Sequence, residues 1–98
     1  MYKGTYYKEN LSSNKLFRCY EIATPRIKQY LNAEIDFVIS NLHDTDLALE
    51  LGCGYGRVMK EVSPFVSMII GNDISKISLE LAKLHMKTCK NYVVTQMD

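Results

Sequence analysis

Residues 47–56 read Leu-Ala-Leu-Glu-Leu-Gly-Cys-Gly-Tyr-Gly, and no other stretch of the chain restricts its possible folds so strongly. Leu47, Leu49 and Leu51, with Ala48 between them, form the short apolar run that a parallel strand covered on both faces requires. Glu50 interrupts the run one residue before its end. Glycines come next at alternate positions, Gly52, Gly54 and Gly56. Lacking side chains, they let a ligand approach the backbone above the strand tip and permit positive φ where the chain turns. A helix is expected to start near Arg57, its unpaired N–H groups pointing back over the loop.

The order of the downstream elements narrows the class. Residues 66–72 (Val-Ser-Met-Ile-Ile-Gly-Asn) read as a second strand with Asp73 at its C-terminal end, 21 residues after Gly52. In sheets of this kind an acidic residue about 20 positions past the first glycine commonly accepts hydrogen bonds from ribose hydroxyls. A third strand at residues 92–96 leads into Met97 and Asp98. The pattern Glu50-x-Gly52-x-Gly54-x-Gly56, with these acidic positions at successive strand ends, resembles motif I of the class I S-adenosylmethionine-dependent methyltransferases. The resemblance covers roughly residues 25–98 and implies S-adenosyl-L-methionine as cofactor.

It also implies a set of cofactor-binding residues. Glu50 stands where the family has an acidic residue near the methionine part of the cofactor. A carboxylate buried there without a partner would be costly, and a ligand ammonium, or a helix or loop N–H, is a suitable one. Gly52, Gly54 and Gly56 give the close backbone approach. Tyr55 either walls the site as a cation–π partner or is an exposed loop aromatic. Asp73 is the expected ribose ligand, with a plain helix N-cap as the alternative, and Ile74 an apolar contact to adenine. Asp98 faces the adenine amino group in this scheme. Cys53 belongs to the same loop; no histidine lies near it in sequence to activate a nucleophile, and a small soft side chain packed under the loop is the preferred reading. Tyr6, Tyr20 and Arg26 lie in the segment that covers the methionine end in relatives, and here core or surface packing is expected of them. No catalytic residue is identified.

A nicotinamide-dependent dehydrogenase is the main competitor. Its Gly-x-Gly-x-x-Gly fingerprint would use Gly52 and Gly54 and place the third glycine at position 57, where this chain has Arg57. That position needs close helix–strand packing, which an arginine side chain spoils.

Composition adds exclusions. A chain of 98 residues that is 47% hydrophobic and 23% charged is ordinary globular material. The net charge of +1 is evenly spread, with six basic and six acidic residues up to Asp46 and six and five after it. No basic footprint for nucleic acid or anionic membrane is visible, so neither is expected as a partner. There is no apolar run long enough for a membrane span and no signal-peptide core at the start, which makes the cytoplasm the default compartment. Cys19, Cys53 and Cys89 are widely spaced and odd in number, so neither structural zinc nor a disulfide framework is expected. His43 reads as a loop residue and His85 as a helix-surface residue, neither with a function.

Along the chain, residues 1–14 read as an arm or cap and residues 15–23 as a short helix, together a segment 1–24 distinct from the domain at 25–98. Thr24 and Pro25 read as N-cap and first residue of a helix running to about Leu42. Its stripe of Ile27, Leu31, Ile35, Val38, Ile39 and Leu42 is expected to face the core. After the glycine loop a short helix runs from Arg57 to about Val62 and ends at Ser63-Pro64. Ser75 caps a further crossover helix, with Ile77, Leu81 and Leu84 toward the sheet. Right-handed crossovers give a parallel sheet in the order 3-2-1. The expected fold is therefore α/β, the first half of a Rossmann-like three-layer α/β/α methyltransferase domain with an N-terminal helical segment. The family fold continues beyond this point, so the chain reads as a truncated domain, inactive alone. Its first strand would be left at an edge through which the isolated chain self-associates. A small-molecule methyl acceptor is expected for the parent enzyme; the alternative is a non-catalytic binding or interaction module that uses the open edge.

Overall fold

The computed structural model describes residues 13–97; most of the N-terminal arm, including Tyr6, and Asp98 lie outside the described residues. Two helices, α1 (Ser13–Glu21) and α2 (Pro25–Ser40), precede β1 (Leu47–Leu51). The glycine loop leads to α3 (Arg57–Val62), which tightens into a single 3₁₀ turn (Ser63–Phe65) before β2 (Met68–Asp73). Then come α4 (Lys76–His85) and β3 (Tyr92–Gln96). The strands form one parallel sheet in the order β1-β2-β3, with β2 central. This is the expected 3-2-1 arrangement, and β1 and β3 have the expected bounds.

Local chemistry sets the helix starts. Thr24 is extended and its Oγ1 accepts a hydrogen bond from the Ile27 N–H at 3.3 Å, while Pro25 occupies the first turn, where its missing N–H costs nothing. Ser75 caps α4 in the same way through the Ser78 N–H at 3.2 Å. The Gly56 N-cap of α3 is left-handed and uses no side chain.

The core lies on one face of the sheet. Cys53, Met59, Val62, Val66, Ile69, Leu79 and Met86 form a buried cluster, with Ile39, Leu42, Ala48, Tyr92 and Val94 packed against it. Gly71 in the central strand makes this possible. A Cβ there would meet Met59 Sδ and would lie 2.8 Å from Cys53 Sγ, so the helix and the glycine loop close down on β2 only because the side chain is missing.

Three expectations about packing are corrected. In α4 the residues turned inward are Ser78, Leu79 and Ala82, while Ile77 and Leu84 are exposed. Ala82 explains this: its Cβ comes within 3.5 Å of where a Gly56 side chain would begin, so small residues had to face the loop. In α2 only Ile35 is buried; Leu31 and Ile39, and Leu42 just beyond the helix, are half-buried, and Ile27 and Val38 are exposed, because among the described residues this helix packs mainly on α3 and the edge of the sheet core. Finally, the described residues cover β1 on one face. Leu47, Leu49 and Leu51 are 63–74% exposed, because among the described residues the helices pack on the opposite face.

Candidate functional site

Parallel strands carry their free C-terminal tips to one end of the sheet, and there the glycine loop is tied down by β2. The Gly52 N–H donates to Asn72 Oδ1 at 3.1 Å and the Cys53 N–H to the Asn72 carbonyl at 2.8 Å. The Gly54 N–H donates to Asp73 Oδ2 at 2.9 Å, and the other oxygen of Asp73 accepts from the Ser75 N–H at 2.9 Å. Gly52, Gly54 and Gly56 all have positive φ, the conformation that L side chains resist. A Cβ built on Gly52 meets nothing within 4 Å, so the loop is open there.

Glu50 is the most unusual residue at this end. Its position in β1 turns it toward the helix-covered face, opposite Gly71, and its Oε1 is buried with no hydrogen-bond partner. Burial pushes the carboxyl up to about 7; the Arg57 guanidinium opposes the rise and the Asp73 charge adds to it. At neutral pH the group is poised between its two forms, and a cation brought to it would hold it ionised.

Cys53 lies on the same helix-covered side, buried in the core with its Sγ against Gly71. Burial pushes its thiol up to about 12, with the Glu50 and Asp73 charges adding to the effect, so the sulfur stays protonated and is no nucleophile. Tyr55 is buried, not an exposed loop aromatic. Its ring packs edge-on against Phe17 (centroids 5.1 Å apart) and His85 (5.5 Å), and tilted against Tyr20 (6.2 Å). These contacts fasten α1 and α4 to the loop. His85 is accordingly half-buried, not a surface residue, and burial, with Lys60 nearby, holds its pKa below the usual value. His43 is exposed in the turn before β1, 3.6 Å from Asp46.

Asp73 is not a plain N-cap, since Ser75 has that role; its carboxylate links the loop to the start of α4. Ile74 is half-buried beside it, and its carbonyl accepts from Gln96 Nε2 at 3.2 Å. The Met97 N–H donates to the Asp73 carbonyl at 3.1 Å, which brings the chain leading to Asp98 to this same end. Asn72 is a site residue that sequence reasoning does not single out. The only available signal is a polar side chain in a strand that otherwise reads as buried.

No protein-family model and no curated protein sequence matches the chain. Solved structures do match. The N-methyltransferase NodS from Bradyrhizobium japonicum, in complex with S-adenosylhomocysteine, superposes with a TM-score of 0.77 at 15% identity over 97% of this chain and 47% of its own. An rRNA methylase from Streptococcus thermophilus gives a TM-score of 0.65 at 14% identity over 78% of this chain and 44% of its own. The YcgJ protein from Bacillus subtilis gives 0.63 at 24% identity over 67% and 30%. The chain thus spans less than half the length of each.

One expectation is overturned by these matches. Structures that share the fold include enzymes named for ribosomal RNA, so an even charge distribution in this half of the fold does not exclude a nucleic-acid partner. The reason is physical: a basic surface on other elements would leave no trace in these residues. None of the described helices is long and apolar enough to cross a membrane. In its strand order, glycine loop and helix placement, the chain has the fold of the N-terminal half of the class I S-adenosylmethionine-dependent methyltransferases.

Proposed function

We propose that residues 25–98 are the cofactor-binding half of an S-adenosylmethionine-dependent methyltransferase, with the segment 1–24 as an N-terminal arm and short helix. One observation carries the reading: a buried carboxylate oxygen of Glu50 has no partner and sits beside a loop open to a ligand. An ammonium group fits that oxygen, and the methionine part of the cofactor has one. In this reading Glu50 holds the methionine end, and Gly52, Cys53, Gly54, Tyr55 and Gly56 form the loop beneath the ligand, Cys53 and Tyr55 through their backbones. Asp73 accepts from the ribose hydroxyls with the lone pairs that Gly54 and Ser75 leave free, Ile74 packs on the adenine, and Asp98 meets its amino group. The bound cofactor supplies an electrophilic methyl group on a sulfonium. The acceptor is left open between the chemistries named for the structural neighbours, an N-methyl acceptor and ribosomal RNA.

The test is a titration of the ¹⁵N-labelled chain with S-adenosylhomocysteine. Saturable shifts are expected at the Gly52, Gly54 and Asn72 amides, and Asp73→Ala is expected to weaken binding about tenfold, from the loss of charge-assisted hydrogen bonds worth roughly 1.5–3 kcal/mol. Saturable binding of NADH with none of S-adenosylhomocysteine would overturn the reading.

A further inference from the structure

Beside the glycine loop lies a second feature that the cofactor residues do not explain. Tyr20 from the last turn of α1, Lys28, Leu31 and Asn32 from one face of α2, and Arg57 from the start of α3 line a cleft of about 190 Å³. The cleft brings together two cations from separate elements. Among the described residues neither has an acidic group within ion-pair distance, although the chain as a whole is nearly neutral. The Arg57 charge reaches the buried Glu50 carboxyl without forming an ion pair with it, and an anion held between Lys28 and Arg57 would offset the like charges that line the cleft.

Arg57 is also preset for such a ligand. Its guanidinium carbon lies over the Tyr20 ring, 4.3 Å from the centroid. Stacking occupies one face of the planar group and restrains its rotation, while the N–H donors around its edge stay available. An edge of this kind matches the two oxygens of a carboxylate or phosphate, and Lys28 adds a point charge and Asn32 an amide N–H₂. Tyr20 is itself held by Tyr55, so the geometry of the cleft is coupled to the loop.

We infer that the cleft formed by Lys28, Asn32 and Arg57 is a binding site for an oxyanion, a carboxylate or phosphate group. The site stands independently of the methyltransferase reading; only the source of the anion rests on that reading. Two sources share this chemistry, the carboxylate at the methionine end of the cofactor and an anionic group on the methyl acceptor.

Inorganic phosphate is the probe, titrated into the labelled 98-residue chain at constant ionic strength while the Arg57 side-chain Nε–H and the Leu31 methyl groups are followed. Saturable shifts at both are expected, weakened about tenfold or more in Lys28→Gln and in Arg57→Gln, and unchanged in Lys90→Gln, a lysine elsewhere on the surface. Because Arg57→Gln also removes the stacking on Tyr20, Lys28→Gln is the deciding variant. Competition then separates the sources. If S-adenosylhomocysteine displaces phosphate and methylthioadenosine, which lacks the amino-acid end, does not, the site takes the cofactor's carboxylate. If phosphate and S-adenosylhomocysteine bind together, it takes the acceptor's anion. Phosphate binding without any binding of S-adenosylhomocysteine would keep the oxyanion site and remove the methyltransferase reading. Shifts that fail to saturate, or that persist unchanged in Lys28→Gln, would overturn the inference.

Discussion

Replacing Glu50 by glutamine is expected to remove a loss of stability that the protein otherwise suffers as pH rises toward neutral, and to weaken its cofactor binding. The carboxyl has an ordinary value of 4.5 and is raised to about 7 in the folded chain, chiefly by burial. Below 4.5 it is protonated in both folded and unfolded states and contributes no pH dependence. Between 4.5 and 7 the unfolded chain ionises and the folded chain resists, so stability falls as pH rises. Above that window the loss is complete, and it amounts to at most about 3 kcal/mol, with residual hydration of the site reducing it. Glutamine has nearly the same shape and does not titrate. Its amide still loses hydration when buried, at a cost of roughly 1–3 kcal/mol, but that cost is the same at every pH. The informative quantity is therefore the stability of Glu50→Gln minus that of the unmodified protein, measured by urea unfolding at several pH values. It should rise by up to about 3 kcal/mol from about pH 4 to about pH 8. A difference that stays flat over this range would mean that Glu50 ionises freely in the folded chain, and the orphaned carboxylate would lose its place in the site.

Three further contacts carry expectations of their own. Gly71→Ala should cost about 1–3 kcal/mol in urea unfolding, since its Cβ would collide with Met59 and Cys53, and combining it with Met59→Ala should cost less than the sum of the two single losses. Gly54→Val should abolish binding of S-adenosylhomocysteine, read by calorimetry, because a β-branched residue resists the φ of 57° found there. Thr24→Ala should lower stability by about 0.5–2 kcal/mol through loss of the α2 cap, without changing the loop amide resonances.

The strands are legible in the sequence because each is a short apolar run with an abrupt polar or glycine boundary. That signal alone bounds β1 and β3 correctly. Helix faces are harder. Ile77, Leu81 and Leu84 repeat with helical spacing, yet α4 turns Ser78 and Ala82 inward, because close approach to the glycine loop needs small side chains, which carry no hydrophobic signal. Within the site, Glu50, the glycines and Asp73 are visible through their spacing. Asn72 is not, since its task is fixed by the register that sets Leu51 beside it and thereby puts Gly52 within reach. Tyr55 and His85 are beyond reach for a similar reason: their contacts join elements far apart in sequence.

The inverted pattern of β1 bears on what fixes its register. Side chains alternate along a strand, so the register that turns Ala48 and Glu50 toward the helices turns Leu47, Leu49 and Leu51 away from them. A sheet covered on one face alone would favour the reverse, since full burial of each leucine contributes about 1.5–3 kcal/mol and burial of a carboxylate is unfavourable. Slipping β1 by one residue would achieve it. That slip would also pull Gly52 from Asn72 and Gly54 from Asp73, and would remove the glycine loop from the end of β2. Loop hydrogen bonds and the Cys53–Gly71 contact thus oppose the local hydrophobic preference and hold the strand in the register that exposes its leucines. A strand whose register keeps a carboxylate in and leucines out is arranged around the loop at its tip, and that loop is where the residues proposed to bind the cofactor converge.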